Sequence, residues 1–509
     1  MRSPLHSFIA IALVFLGFFL QARGGEPVSL TPPAPHEPQL HGPKIYGVRP
    51  GSPFLYRIPC TGDRPLTFRA EGLPDGLSLD AQSGIITGTI GQVGTTHVML
   101  YAKNSLGESH RDFRIVAGDT LALTPPMGWN DWYTHYERVS QAAIEQGADQ
   151  MLASGMADYG YQYVNCDDCW AMKPGSSNPD VAGPARDANG QIRPNKRFPD
   201  IKGMVDYIHA KGLKAGIYTS PGPLTCGGYE GAWQHEAQDA KTFADWGFDF
   251  LKYDLCSYGR KMTSRTPDDY RKPYQQMSDA LRQQKRDIVF NLCEYGEGDV
   301  WKWGFDVGQC WRTTGDLGLE RRGQLPGFYD IALQNAAHAD YAKPGGWNDP
   351  DYLIIGWAGN AWKMDEGKKT TLTPDEQYSY MSLWSLMAAP LIFSGDMAKL
   401  DAFTLGILCN AEVIDIDQDP LGKQAKLLRQ SANELVLVKD LEDGSKAVGL
   451  FNLTPASRHM SVSWTELGVA GNQLVRDLWR QKDLGIAASD FSTDVPGHGV
   501  ALMVIRAGN

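Results

Sequence analysis

The chain reads as a multidomain protein: a central (β/α)8 TIM barrel, a small N-terminal β-sandwich and a C-terminal antiparallel β-sandwich. Three observations predict this. A length of 509 residues suits two to four domains at roughly 100–200 residues each. From residue 119 to residue 412, strand-like and helical runs alternate, giving about eight βα units over roughly 280 residues, the size of such a barrel. On either side the helical period is lost, and short strands punctuated by turn residues replace it.

Composition narrows the function classes. Lys and Arg total 48 against 59 Asp and Glu, a net charge of −11, and the basic residues do not cluster. Nucleic acid and anionic membrane are therefore excluded as main partners. Apolar residues at 42% and charged ones at 21% are globular values. The 14 Trp and 21 Tyr serve cores and sugar faces equally well.

The N-terminus reads as a secretory signal over residues 1–24. Arg2 lies in a polar start, Phe8 to Leu20 is apolar, and Ala22-Arg23-Gly24 is a small-x-small cleavage site. That apolar run is shorter than the roughly 20 residues a spanning helix needs, so an exported protein without a membrane span is expected. Eight cysteines then permit disulfides. Cys166-x-x-Cys169 has no second CxxC or HxxxH to complete a metal site, and no metal or organic cofactor is expected.

Residues 25–44 are rich in proline and polar residues and read as a linker. Within 45–118, Phe54 to Ile58 and His97 to Tyr101 alternate, and turns such as Gly72-Leu73-Pro74-Asp75-Gly76 divide them. In the barrel region Ile144, Ala148, Met151 and Leu152 share one helical face, closed by Gly155. Asp200 caps a helix with Ile201, Met204, Val205 and Ile208 inward, and Trp233 to Trp246 is helical. Strands are expected at Met127–Trp129, Tyr161–Cys166, Leu213–Tyr218, Phe248–Tyr253, Ile288–Leu292, Val307–Trp311, Trp347–Leu353 and Leu391–Ser394. A doubly wound sheet is the alternative, weakened because no glycine-rich phosphate fingerprint opens a helix. In 413–509, the runs at 434–438, 446–451 and 500–505 read as strands.

Working residues of such a barrel project from the C-terminal strand ends. Here those ends carry Asp167-Asp168, Tyr218, Lys252-Tyr253-Asp254, Glu294, Arg312 to Asp316, and Asp349 with Asp351. So many carboxylates suit a polyhydroxylated substrate, because charge-assisted hydrogen bonds to hydroxyls are strong. Glycoside cleavage needs one ionised carboxylate and one that holds a proton. Asp254 fits the first role, with Lys252 favouring its anion. Asp316 fits the second if it faces Asp254 across the sugar, at roughly 5–5.5 Å for double displacement.

These residues carry a resemblance. Thr124 to Trp132 (TPPMGWNDW), Asp167-Asp168-Cys169-Trp170, Gly216-Ile217-Tyr218, Lys252-Tyr253-Asp254-Leu255-Cys256, Trp311 to Asp316 (WRTTGD), Gly345 to Asp351 (GGWNDPD) and Gln418 to Gly422 (QDPLG) resemble glycoside hydrolase family 27, the α-galactosidases or melibiases. The segment Gly72 to Gly107 is similar to an immunoglobulin-like module that precedes such domains in bacteria. The resemblance implies an exported, retaining hydrolase releasing terminal α-linked galactose from oligo- or polysaccharides. Asp254 is then nucleophile and Asp316 acid/base. It further implies that Asp167, Asp168 and Lys252 bind the far hydroxyls, that Trp132 forms an aromatic wall, and that Tyr218, Cys226 and Asp351 line the pocket. Arg312 and Glu294 fall near the 2-hydroxyl, and Cys226–Cys256 forms a disulfide beside the nucleophile.

Tyr295 replaces the Trp usual after the Glu, Tyr352 replaces a common Met, and Leu255 and Ser257 flank Cys256 where Asn or Gly is usual. These departures touch the expected pocket rim. Asp168 in place of Glu leaves room for a hydroxymethyl group and favours galactose over L-arabinopyranose. Glu294 favours a free hydroxyl over an N-acetyl group. The rivals are β-L-arabinopyranosidase, α-N-acetylgalactosaminidase and a non-catalytic carbohydrate-binding protein. Among structural alternatives, Arg312 could pair with Glu294, Cys293 could bridge Cys310, and Trp129, Trp170 and Trp347 could be barrel core.

Overall fold

The computed structural model describes residues 27–318, 321–358 and 367–508; the expected signal segment lies outside them. Eight parallel strands form the centre: β1 (Met127–Asn130), β2 (Tyr163–Asn165), β3 (Lys214–Thr219), β4 (Phe250–Asp254), β5 (Val289–Cys293), β6 (Cys310–Arg312), β7 (Trp347–Asp349) and β8 (Leu391–Phe393). Their order is β7-β6-β5-β4-β3-β2-β1-β8. A bridge from Leu353, just past β7, to Phe393 of β8 closes the ring. Every residue of these strands is buried, which explains why they read as near-continuous apolar runs.

The helices follow from their caps and apolar stripes. In α1 (Gln141–Ala153), Ser140 accepts from the Ala143 amide, and Ile144, Gly147, Ala148 and Met151 face inward. In α2 (Ile201–Ala210), Asp200 accepts from the Gly203 amide, and Ile201, Met204, Val205 and Ile208 are buried as expected. The next, α3 (Glu236–Trp246), begins three residues later than the sequence suggests, because Gln234 holds a left-handed φ of 64°. Then come α4 (Pro267–Arg282), α5 (Phe328–Ala336) and α6 (Pro374–Leu386). The sixth strand starts later than Val307 because residues 304–307 form a helical turn. A Cβ at Gly308 would meet Leu292 at 2.1 Å, so the chain first crosses tightly over β5 and only then enters the sheet.

The C-terminal region is antiparallel: a six-stranded sheet including Glu434–Asp440, Lys446–Asn452 and Val500–Ala507, faced by a pair at Arg458–Ser463 and Asp490–Val495. Alternation assigns its faces. Leu435, Leu437, Ala447, Phe451 and Leu502 join the barrel core, whereas Val436, Val448, Leu450, Met503 and Ile505 fill the sandwich. Both faces of the sheet are thus covered.

The N-terminal sandwich packs a four-stranded sheet against a three-stranded one around Phe54, Tyr56, Phe68, Leu100, Phe113 and Ile115. It sits at the N-terminal ends of the barrel strands. The Asp287 carboxylate, just before β5, accepts from Arg49 N at 2.8 Å, Arg49 Nε at 2.6 Å and Ser52 Oγ at 2.8 Å. Lys214, opening β3, donates to the Tyr46 hydroxyl. The stretch read as a linker is docked, not free. Gln39–Leu40 pairs with Cys60–Thr61, and the Leu30 amide donates to the Tyr378 hydroxyl of α6 at 2.8 Å. A partner 348 residues away leaves no local mark in a proline-rich sequence. No helix among the described residues is long and apolar enough to cross a membrane.

Candidate active site

At the C-terminal mouth the backbone bends sharply. Cys169, Cys256, Tyr295 and Asp351, each just past a barrel strand, have φ of 79°, 34°, 62° and 84°. Non-glycine residues rarely adopt such values, and they gather where a fold aims side chains at a site. The cavity at this mouth, of about 90 Å³, is lined by Trp132, Tyr133, Asp167, Tyr218, Cys226, Lys252, Asp254, Tyr295, Arg312, Asp316, Asp351 and Tyr352.

Asp254 ends β4 and is 5% exposed. Both its oxygens are held by tyrosines: Tyr218 donates to Oδ2 at 3.0 Å and Tyr295 to Oδ1 at 2.5 Å. Burial pushes its carboxyl above the ordinary value; Lys252 and the two phenols pull it back toward the anion, and Asp316 opposes them. Asp316 lines the same cavity and is half exposed, its Oδ1 held by both terminal nitrogens of Arg312 at 3.3 Å. One carboxylate is thus sunk in the floor among hydroxyl donors, and the other stands at the opening, where solvent reaches it.

The far wall rests on Asp167. Its Oδ2 accepts from Lys252 Nζ at 2.9 Å, Asn130 Nδ2 at 2.9 Å and Tyr352 at 3.0 Å, and Oδ1 accepts from the Asp168 amide at 2.9 Å. With three donors crowded on Oδ2 and one on Oδ1, Asp167 holds Lys252 and Tyr352 in place at the cavity wall. Burial disfavours the charge of Lys252, but Asp167 outweighs it and holds the ammonium above its ordinary value. Asp351 accepts from Arg312 at 3.1 Å, from the Leu317 amide at 2.8 Å and from the Tyr352 amide at 2.9 Å. Burial nevertheless pushes its carboxyl up to about 6.

Two expected substrate ligands lie elsewhere. Asp168 is buried behind the wall, accepting from the Cys169 amide at 2.6 Å and the Gly227 amide at 2.7 Å, with burial raising its carboxyl to about 7. Glu294 is fully buried and neither oxygen has a hydrogen-bond partner, though the amides of Glu294 and Gly296 lie near its carboxyl. Burial drives its carboxyl well above the ordinary range. Neither residue lines the cavity.

Arg312 pairs with Asp316 and Asp351, not with Glu294. Cys293 and Cys310 are free and buried, because Cys310 pairs with Asn291, two positions from Cys293. Cys226 and Cys256 do form the disulfide. Trp129, Trp170 and Trp347 are buried, their indoles donating to the carbonyls of Gly395, Tyr218 and Ala122. Residue reading missed the lining role of Tyr133, and it noted Tyr295 and Tyr352 only as departures. The hydroxyls of Tyr295 and Tyr352 donate to Asp254 and Asp167, contacts that charges at strand ends do not reveal.

A (β/α)8 barrel with a buried and an exposed carboxylate in one hydroxyl-lined mouth has the groups that glycoside hydrolysis needs. The α-galactosidase A family matches residues 124–419, the α-galactosidase C-terminal β-sandwich domain matches 434–505, and an Ig domain family matches 37–117. α-Galactosidase 2 of Arabidopsis thaliana is 37% identical over 397 residues, covering 77% of this chain and 92% of that one. A crystal structure from Bacteroides fragilis NCTC 9343 superposes at TM-score 0.84 and 36% identity over 92% of this chain and 98% of that one. α-Galactosidase I from Mortierella vinacea superposes at TM-score 0.68 and 31% identity, over 77% and 99%. The chain belongs to the melibiase α-galactosidase family.

Proposed function

We propose that the chain is a retaining α-galactosidase that removes terminal α-linked galactose by double displacement, and that its N-terminal segment exports it. The observation that carries this reading is the pairing of Asp254, buried and hydroxyl-bonded, with Asp316, exposed and arginine-bonded, in one cavity. Asp254 attacks the anomeric carbon as Asp316 protonates the departing oxygen. Water then resolves the galactosyl-enzyme while Asp316 acts as base. Lys252, Tyr352 and Trp132 bind the ring, and Asp167 sets Lys252. No step calls on a metal or organic cofactor.

A panel of aryl α-galactoside, β-L-arabinopyranoside and α-N-acetylgalactosaminide, with proton NMR of the first-released sugar, tests sugar and stereochemistry together. The galactoside is expected to turn over fastest and to release α-galactose first. β-Galactose released first, or preference for another glycoside, would overturn the reading. Undiminished turnover by Asp254→Asn would remove Asp254 from its role.

A further inference from the structure

Each oxygen of Asp254 accepts one phenol, and whichever bonds to carbon loses the negative charge that makes it a strong acceptor. The two tyrosines differ in their freedom to let go. Tyr218 lies within β3, is 1% exposed, and shares its hydroxyl with Cys256 Sγ at 3.1 Å, while Lys252 covers its ring at 5.3 Å. Tyr295 lies beyond β5 and is only half buried, with Cys226 Sγ 3.7 Å from its hydroxyl. Its backbone is fixed in the left-handed region at φ 62°. A Cβ at the next residue, Gly296, would meet the Thr313 carbonyl at 2.4 Å, so the corner is wedged against the β6 loop. Any release of Oδ1 is therefore a rotation of the Tyr295 side chain, and the Cys226 sulfur offers the freed hydroxyl a weak acceptor.

We propose that Tyr295 is a latch on the nucleophile: it holds Asp254 Oδ1 in the resting enzyme, yields it to the anomeric carbon, and takes it back when the glycosyl-enzyme is cleaved. This rests on the double-displacement reading above. In the first step Oδ1 bonds to the anomeric carbon while the bond to the aglycone oxygen breaks, and that oxygen leaves with the Asp316 proton. In the second, water gives a proton to Asp316 and bonds to the same carbon, and the C–Oδ1 electron pair returns to Asp254. The returning charge regains a phenol donor, so Tyr295 speeds the second step and restrains the first. Tyr295 is a positioning residue, because it acts through Asp254.

The test is Tyr295→Phe on an activated aryl α-galactoside. A hydrogen bond to a charged acceptor is lost, so hydrolysis of the glycosyl-enzyme slows by roughly tenfold or more. The intermediate accumulates, kcat and KM fall together, and a pre-steady-state burst of aryl alcohol appears. The acid limb of kcat/KM also moves. Asp254 is faced by Lys252 on its own strand, Tyr218 from β3, Cys293 and Tyr295 from β5 and its loop, and Asp316 after β6. Removing one donor to the anion shifts that limb to higher pH by about one unit. Tyr295→Leu, which likewise has no donor, should behave alike, and a melting curve close to wild type separates this from misfolding.

An unmoved acid limb with no burst, or a fall in kcat/KM matching that in kcat at unchanged KM, would overturn the latch. If the wild type itself releases β-galactose first, the double-displacement reading has failed, not the role of Tyr295 within it.

Discussion

Replacing Lys252 with Met should expose how much of the far wall is electrostatic. The ammonium sits 2.9 Å from Asp167 Oδ2, with side-chain exposures of 11% and 2%. Breaking a buried pair from one side costs about 3–5 kcal/mol, because the remaining charge is stranded. Asp167 would keep Asn130, Tyr352 and the Asp168 amide, which places the loss near the lower limit, about 3 kcal/mol. For a barrel of this size that is a fall of about 5 °C in the melting temperature of the barrel transition. The assay is a double-mutant cycle of Lys252→Met, Asp167→Asn and the pair, followed by tryptophan fluorescence. The double variant no longer buries a lone charge, so it should recover about 2 kcal/mol relative to the sum of the singles. All three lose turnover. Additive losses with no coupling would refute the claim that the two side chains form one unit.

Other consequences test other parts of the molecule. Asp316→Ala should slow natural galactosides by roughly 10²–10⁴-fold but activated aryl galactosides far less, since a good leaving group needs little protonation; equal losses in steady-state assays would count against the assignment. Asp287→Ala removes three bonds to the N-terminal sandwich and should destabilise by about 1–3 kcal/mol in calorimetry with kcat intact; a drop in kcat would show that this junction reaches the site. Asp168, raised to about 7, binds a proton in the folded chain that the unfolded chain has released. Its contribution to stability therefore declines as pH rises from about 4 to 7. Measured against Asp168→Asn, the wild-type melting temperature should fall across that window; a difference independent of pH would contradict it.

The barrel was legible because its period is local: apolar strands and capped amphipathic helices recur, and Asp200 with its Ile201 stripe folds as written. The positions of the strand ends were legible too, and with them Asp254, Asp316, Lys252 and Arg312. What the sequence did not reveal is direction. Asp167 and Asp168 are neighbours, yet one borders the cavity and the other turns to the Gly227 amide, 59 residues away. Glu294 and Tyr295 divide likewise, the acid buried away from the cavity and the phenol on Asp254. A left-handed bend such as that at Tyr295 carries no sequence mark unless the residue is glycine. The docking of Leu30 and Thr31 was hidden for a related reason, since their partners, Tyr378 and Gly406, lie more than 300 residues away in the chain.

The sandwich at the base of the barrel stands opposite the site, so it contributes no group to the cavity. It covers the N-terminal strand ends, where Lys214 and Asp287 would otherwise meet water. Conservation of the fold's stability at one face and chemistry at the other is the usual division in such barrels.

The most direct measurement of the central claim is the mass of the enzyme after reaction with a fluorinated galactosyl fluoride, a substrate that forms the glycosyl-enzyme faster than water removes it. Peptide mapping should find one hexosyl adduct, on the peptide that contains Asp254, and none in Asp254→Asn. An adduct on another carboxylate, or none while the enzyme turns over, would contradict Asp254 as the nucleophile.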